Sequence, residues 1–205
     1  MPSIWKLATG LQLLTAMYAA VGAATTTNCC SAHLESAISI ENDGKVLGLS
    51  ANLVTGDQTF GQSVPDFCNV TVTYTHSNWN DTVHITAEDS WAQSLLSGLA
   101  SNYSTGMTDT GHSLADQESA SWAYKPDGEL NLDLLEEYAY VALGDLPAVG
   151  KQLSNRYYGH GPQYSFWDGC STGGRQGIQM AQKYPTAYNG IYAGSPAINF
   201  PEITM

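Results

Sequence analysis

The sequence predicts an α/β fold, a mostly parallel sheet with helices packed on it, preceded by an N-terminal antiparallel β segment. Three patterns carry this expectation. Residues 131–194 alternate helix, strand, helix, strand, which brings successive strands parallel through helical crossovers. Residues 67–76 (FCNVTVTYTH) set Val70, Val72 and Tyr74 between Asn69, Thr71 and Thr73, the period-2 signature of a half-buried strand, and residues 81–85 (DTVHI) read as its partner across a turn. A glycine-rich turn, residues 166–177 (FWDGCSTGGRQG), joins a short aromatic strand to an amphipathic helix.

Taken in order, the chain opens like a secretory leader. Lys6 gives a positive start, residues 7–20 are apolar, and Val21-Gly22-Ala23 supplies the small residues a signal peptidase cuts after. Gly10, Gln12 and Thr15 interrupt the apolar stretch, which argues against a membrane anchor. The expected organisation is a signal peptide over residues 1–24 and one domain over residues 25–205, secreted to the extracellular space. In an oxidising compartment Cys29, Cys30, Cys68 and Cys170 become disulfide candidates, with Cys68 pairing to Cys29 or Cys30. Asn69, Asn80 and Asn102 each open an Asn-x-Ser/Thr glycosylation sequon.

Further along, residues 45–49 suggest a short strand. Residues 88–102 suggest a helix with Trp91, Leu95, Leu96 and Leu99 on one face. Residues 103–108 read as a strand running into the loop Asp109-Thr110-Gly111-His112. Residues 131–143 form a helix, with Asn131 as cap, Asp133 in the first turn and a stripe of Leu134, Leu135, Tyr138, Val141 and Ala142. Gly144 and Pro147 are expected to bend or break it, with a second helical piece reaching about residue 157. A strand over 163–168, a helix over 173–184 ended by Pro185, and a strand over 190–194 complete the reading.

Composition narrows the function. The net charge of −12 and the absence of any basic cluster exclude nucleic acids and anionic membrane surfaces as partners. Chemistry concentrates at Gly169-Cys170-Ser171-Thr172-Gly173, a G-x-S-x-G pentapeptide. A serine hydroxyl is a poor nucleophile until a base takes its proton and donors hold the oxyanion. A sharp strand-to-helix turn, as in an α/β-hydrolase, lifts such a serine clear of the sheet and aims a helix N-terminus at it. Gly169 and Gly173 allow the backbone to turn that tightly. Ser171 is the candidate nucleophile, and the Thr172 amide the candidate oxyanion donor. Arg175, in the first turn of the following helix, reads as a structural donor or a contact to substrate.

The stretch YSFWDGCSTGGRQGIQMAQKYPTAYNGIYAGSPAINF resembles the nucleophile region of the fungal tannase and feruloyl esterase family, and FCNVTVTYTH, TDTGHS and ASWAYKPDGELN extend the likeness over most of the chain after residue 28. The resemblance implies hydrolysis of small phenolic-acid esters, galloyl or feruloyl, by a Ser, Asp, His triad in that chain order. It implies that Cys170 is bonded to a cysteine beside the catalytic histidine. It also implies a calcium site in a lid domain outside these residues, so no metal or cofactor is expected in this chain.

Against that pattern the chain has departures. Residues 172–205 contain no His, Asp or Cys, and Glu202 is their sole acid. After Ile85 the family continues with a strand and a glycine-rich loop, whereas residues 86–89 run straight to Ser90-Trp91. The fold is therefore expected as an incomplete α/β-hydrolase. His112 and His160 are the upstream histidines that could stand in as base. The alternative reading is a truncated, inactive remnant that at most binds a ligand. Oligomeric state leaves no mark in the sequence.

Overall fold

The structure, a computed structural model, describes residues 12–17, 27–55, 64–86, 92–113 and 120–199. Seven strands form one sheet: β1 (Gln12–Met17), β2 (Lys45–Val54), β3 (Phe67–Thr75), β4 (Val83–Thr86), β5 (Ser104–Thr108), β6 (Ser165–Cys170) and β7 (Gly190–Gly194), in the spatial order β2-β3-β4-β5-β1-β6-β7. Among the described residues five α-helices accompany them: α1 (Ser31–Glu35), α2 (Ala92–Ala100), α3 (Leu132–Glu136), α4 (Ala142–Tyr158) and α5 (Thr172–Lys183).

The sheet corrects the expectation of mostly parallel strands. β2, β3, β4 and β5 pair antiparallel in succession, and β1 runs antiparallel to both β5 and β6. Among the described strands, β6 and β7 are the one parallel pair. A parallel pair needs a crossover helix between its strands, and among these neighbours α5 alone serves that way.

β1 lies inside the segment read as a leader. It occupies the slot between β5 and β6, with Gln12 opposite Cys170 and Met17 opposite Ser165 on one side, and Thr15 opposite Gly106 on the other. The rest of the leader, Trp91 and Glu202 lie outside the described residues.

The period-2 reading of β3 places its core side chains. Val72 and Tyr74 are fully buried, joined by Val83 and Ile85 of β4. Residues 132–158 make one continuous helical run. A π-turn, Glu137–Val141, links α3 to α4, and Pro147 lies buried within α4, which continues through it. The expected break at Gly144 and Pro147 is thus absent. The proline removes one backbone donor, but Ala142, Leu143, Leu146 and Val149 are all buried in the core and hold the helix in register. The two leucines and the valine each contribute on the order of 1.5–3 kcal/mol.

Gly144 has a packing reason rather than a breaking one, because a Cβ there would meet the Tyr184 ring at 2.6 Å. This close approach sets α4 beside the end of α5. The helix ends at Gly159, whose φ of 78° is the left-handed cap that glycine favours. Asn131 occupies the cap of α3 but makes no side-chain capping bond.

Cys29 bonds to Cys68, tying the start of the domain to β3, while Cys30 and Cys170 form no disulfide among the described residues. Asn80 and Asn102 are exposed, but Asn69 is buried within β3.

Candidate active site

β6 delivers the chain to the elbow. Phe166 pairs with Gly190 and Cys170 with Gly194 of β7, so the strand end is fixed on its parallel side. Ser171 then takes φ 59°, ψ −113° and α5 begins at Thr172. This backbone conformation is strained for any residue with a Cβ. Three hydrogen bonds hold it: the Ser171 amide donates to Gly194 O (3.1 Å), and Ser171 O accepts from the amides of Arg175 (3.0 Å) and Ala197 (2.9 Å).

The glycines are required by contact. A Cβ on Gly169 would collide with the Gly173 carbonyl and lie 2.7 Å from Trp167 Nε1. That indole donates to Gly173 O at 3.0 Å, stitching the strand before the turn to the helix after it. A Cβ on Gly174 would press into Gly194 O and sit 2.8 Å from Pro196 Cα. Residues 194–197 therefore clamp the elbow from outside. They were legible only as part of the family resemblance, since nothing in their spacing announces that role.

By position, the Thr172 amide opens α5 and has no acceptor inside the helix, as an oxyanion donor requires. The candidate bases do not reach the serine. Among the described residues no histidine is hydrogen-bonded to Ser171. His112 is buried and stacked on Trp122 (centroids 4.3 Å apart), with Tyr138 at its edge. His160 is exposed and lies 3.2 Å from Gly161 O through Nδ1. Arg175 places its guanidinium 4.7 Å above the Tyr138 ring. A cavity lined by Leu34, Val70, Ile85, Leu146, Leu153 and Tyr157, among others, includes no elbow residue.

A second polar constellation escaped the sequence reading. His76 Nδ1 lies 2.7 Å from Asp81 Oδ2 and 2.7 Å from Glu137 Oε1, and Nε2 lies 3.1 Å from Asp145 Oδ2. All four residues are buried. Burial, followed by the hydrogen bond with Asp81 and the charge of Asp145, pushes the Glu137 carboxyl up to about 9. Burial also raises Asp145, against the pull of His76 and Tyr74. Burial acts the same way on Asp81, but hydrogen bonds from His76 and Thr75 outweigh it and hold this carboxyl below its usual range. One signal was available: Glu137 falls three residues after Leu134 and four before Val141, on the apolar stripe of its helix.

Residues 65–205 match the family described as "Tannase and feruloyl esterase". A "Probable feruloyl esterase" of Arthroderma benhamiae is 39% identical over 67% of this chain and 29% of its own length. The "Tannase" of Aspergillus oryzae is 29% identical over 91% of this chain and 37% of its own. Among solved structures, the tannin acyl hydrolase from Aspergillus niger superposes with a TM-score of 0.69 at 23% identity, covering 83% of this chain and 37% of that one. Feruloyl esterase B from Aspergillus oryzae gives 0.63 at 22%, covering 87% and 39%. These likenesses place the fold with those structures, and the chain spans about a third of the length of the curated relatives it matches. With the matched segment running through the elbow to the last residue, the chain belongs to the tannase and feruloyl esterase family.

Proposed function

We propose that this chain carries the nucleophile of a secreted serine carboxylic-ester hydrolase acting on phenolic-acid esters of the galloyl or feruloyl type. Ser171 Oγ attacks the ester carbonyl and the Thr172 amide holds the oxyanion. Collapse expels the alcohol, which takes up the serine's proton, and water then releases the phenolic acid from the acyl-enzyme. The observation that carries the reading is the strained Ser171 backbone, clamped by three hydrogen bonds at the mouth of a helix.

A second reading concerns these 205 residues taken alone: a chain that presents the serine but does not turn over. It is favoured by the lack of any described histidine bonded to Ser171 and of His or Asp in residues 172–205. Without a base, the hydroxyl keeps its proton and acylation is slow. A fluorophosphonate probe, followed by assays on p-nitrophenyl acetate and methyl ferulate, separates the two. Turnover abolished by Ser171→Ala establishes the hydrolase in this chain. Absent labelling and absent turnover in a folded protein leave the second reading standing.

A further inference from the structure

The buried cluster around His76 sets three carboxylates, Asp81, Glu137 and Asp145, against one imidazole. The imidazole supplies at most one positive charge, so ionisation of all three acids would leave an unbalanced negative charge away from water. The donors are also short by one. Asp81 is well supplied: Oδ1 accepts from Thr75 Oγ1 (2.7 Å) and the His76 amide (3.0 Å), and Oδ2 faces His76 Nδ1. Asp145 Oδ2 accepts from the Tyr74 hydroxyl at 3.0 Å. Glu137 is fully buried and neither of its oxygens accepts a hydrogen bond: His76 Nδ1 stands 2.7 Å from both Glu137 Oε1 and Asp81 Oδ2, and one N–H cannot serve both.

Two species could close this deficit, a metal cation or a proton. His76, Asp81 and Glu137 have the residue types of a cation site. Their spacing decides between the two. Donors around a tetrahedral Zn²⁺ with bonds of 2.0–2.1 Å stand ~3.3 Å apart, whereas the contacts here are 2.7 Å, the length of a hydrogen bond. The groups facing Glu137 from the packed elements are Tyr74 from β3, His76 and Asp81 from the β3–β4 connection, Asp145 from α4, Asp109 after β5 and Tyr184 after α5. Asp109 is itself held by His84 at 2.6 Å.

We propose that Glu137 stores a proton at neutral pH and donates it to Asp81, making this fold more stable in acid than in mild alkali, with the strain of deprotonation delivered to the nucleophile elbow. The route to the elbow is short. Glu137 opens the π-turn, Tyr138 follows it and lies under the Arg175 guanidinium, and the Arg175 amide bonds Ser171 O. Repulsion between Glu137 and Asp81 would act on that turn. The sign follows from proton binding: the folded state holds a proton that the unfolded chain, with an ordinary glutamate, releases above about pH 4.3. The unfolding constant therefore rises with pH through the window that ends near the folded value.

The test compares the wild-type chain with Glu137→Gln by denaturant unfolding from pH 5 to pH 9, a readout independent of esterase activity. The wild type should show an unfolding constant that rises up to tenfold more per pH unit than that of the glutamine variant. Equal slopes would overturn the proposal. Should the variant fail to fold, infrared spectroscopy of the wild type decides. A protonated-carboxyl band at pH 7 that disappears above pH 10 supports it, and no such band at pH 7 refutes it. Added Zn²⁺ or Mn²⁺ at pH 8 that stabilises the wild type but not the variant would also refute it, by showing that a cation fills the cluster.

Discussion

Replacing Ser171 by glycine should stabilise this protein relative to replacing it by alanine. Both changes remove the hydroxyl, so they differ only in backbone preference. At φ 59°, ψ −113° a residue with a Cβ is outside its ordinary basins, a strain of about 1–3 kcal/mol. Glycine relieves it at a conformational-entropy cost of roughly 0.5–1 kcal/mol. The net expectation is that Ser171→Gly exceeds Ser171→Ala by about 1–2 kcal/mol. The strained geometry persists because Gly194 O and the amides of Arg175 and Ala197 each hold Ser171, contributing on the order of 1 kcal/mol apiece. Urea unfolding followed by circular dichroism reads this directly. With a slope of ~1–3 kcal/mol per molar urea, the midpoints should differ by roughly 0.3–2 M. A Ser171→Ala protein as stable as Ser171→Gly would refute the claim that the elbow stores backbone strain.

Other outcomes follow from the same structure. Mutating Cys29 and Cys68 together to alanine opens a loop of sequence separation 39, which should cost about 4 kcal/mol by chain entropy; an unchanged melting temperature would show that the link is not needed. Gly174→Ala drives a Cβ to within 2.8 Å of Pro196 Cα and should cost about 1–3 kcal/mol, together with reduced fluorophosphonate labelling of Ser171. Removing residues 1–24 takes β1 from between β5 and β6. The shortened chain should then lose cooperative unfolding, and size-exclusion chromatography with circular dichroism would show whether it does. The same segment cannot be both a cleaved leader and β1, and the intact mass of the exported chain decides between them: cleavage after Ala23 or Ala24 removes β1, and a retained N-terminus keeps it.

Local pattern made much of this chain legible. The alternation in residues 67–76 gave β3 and its buried face, because period-2 patterning directly encodes which side chains point inward. The G-x-S-x-G turn with its aromatic strand and amphipathic helix gave the elbow, because a bend this tight demands glycine in a fixed relation to the serine. Pro147 misled, since a bend or break was expected from a local penalty that the buried Leu143, Leu146 and Val149 overcame. Glu137 was passed over because a lone acid on an apolar stripe has no meaning until Asp81 and His76, more than fifty residues upstream, arrive beside it.

By itself, then, the order of residues determined the short-range features: strand faces, the glycine-framed serine and the helix that follows it. Tertiary contact alone decided the strand directions, the partner of Cys68, the placement of residues 12–17 beside β6, and the burial of three carboxylates around one imidazole. Those outcomes depend on which distant segments meet. Hydrogen-bond pairing and the exclusion of water act between neighbours in space, and no local pattern names those neighbours.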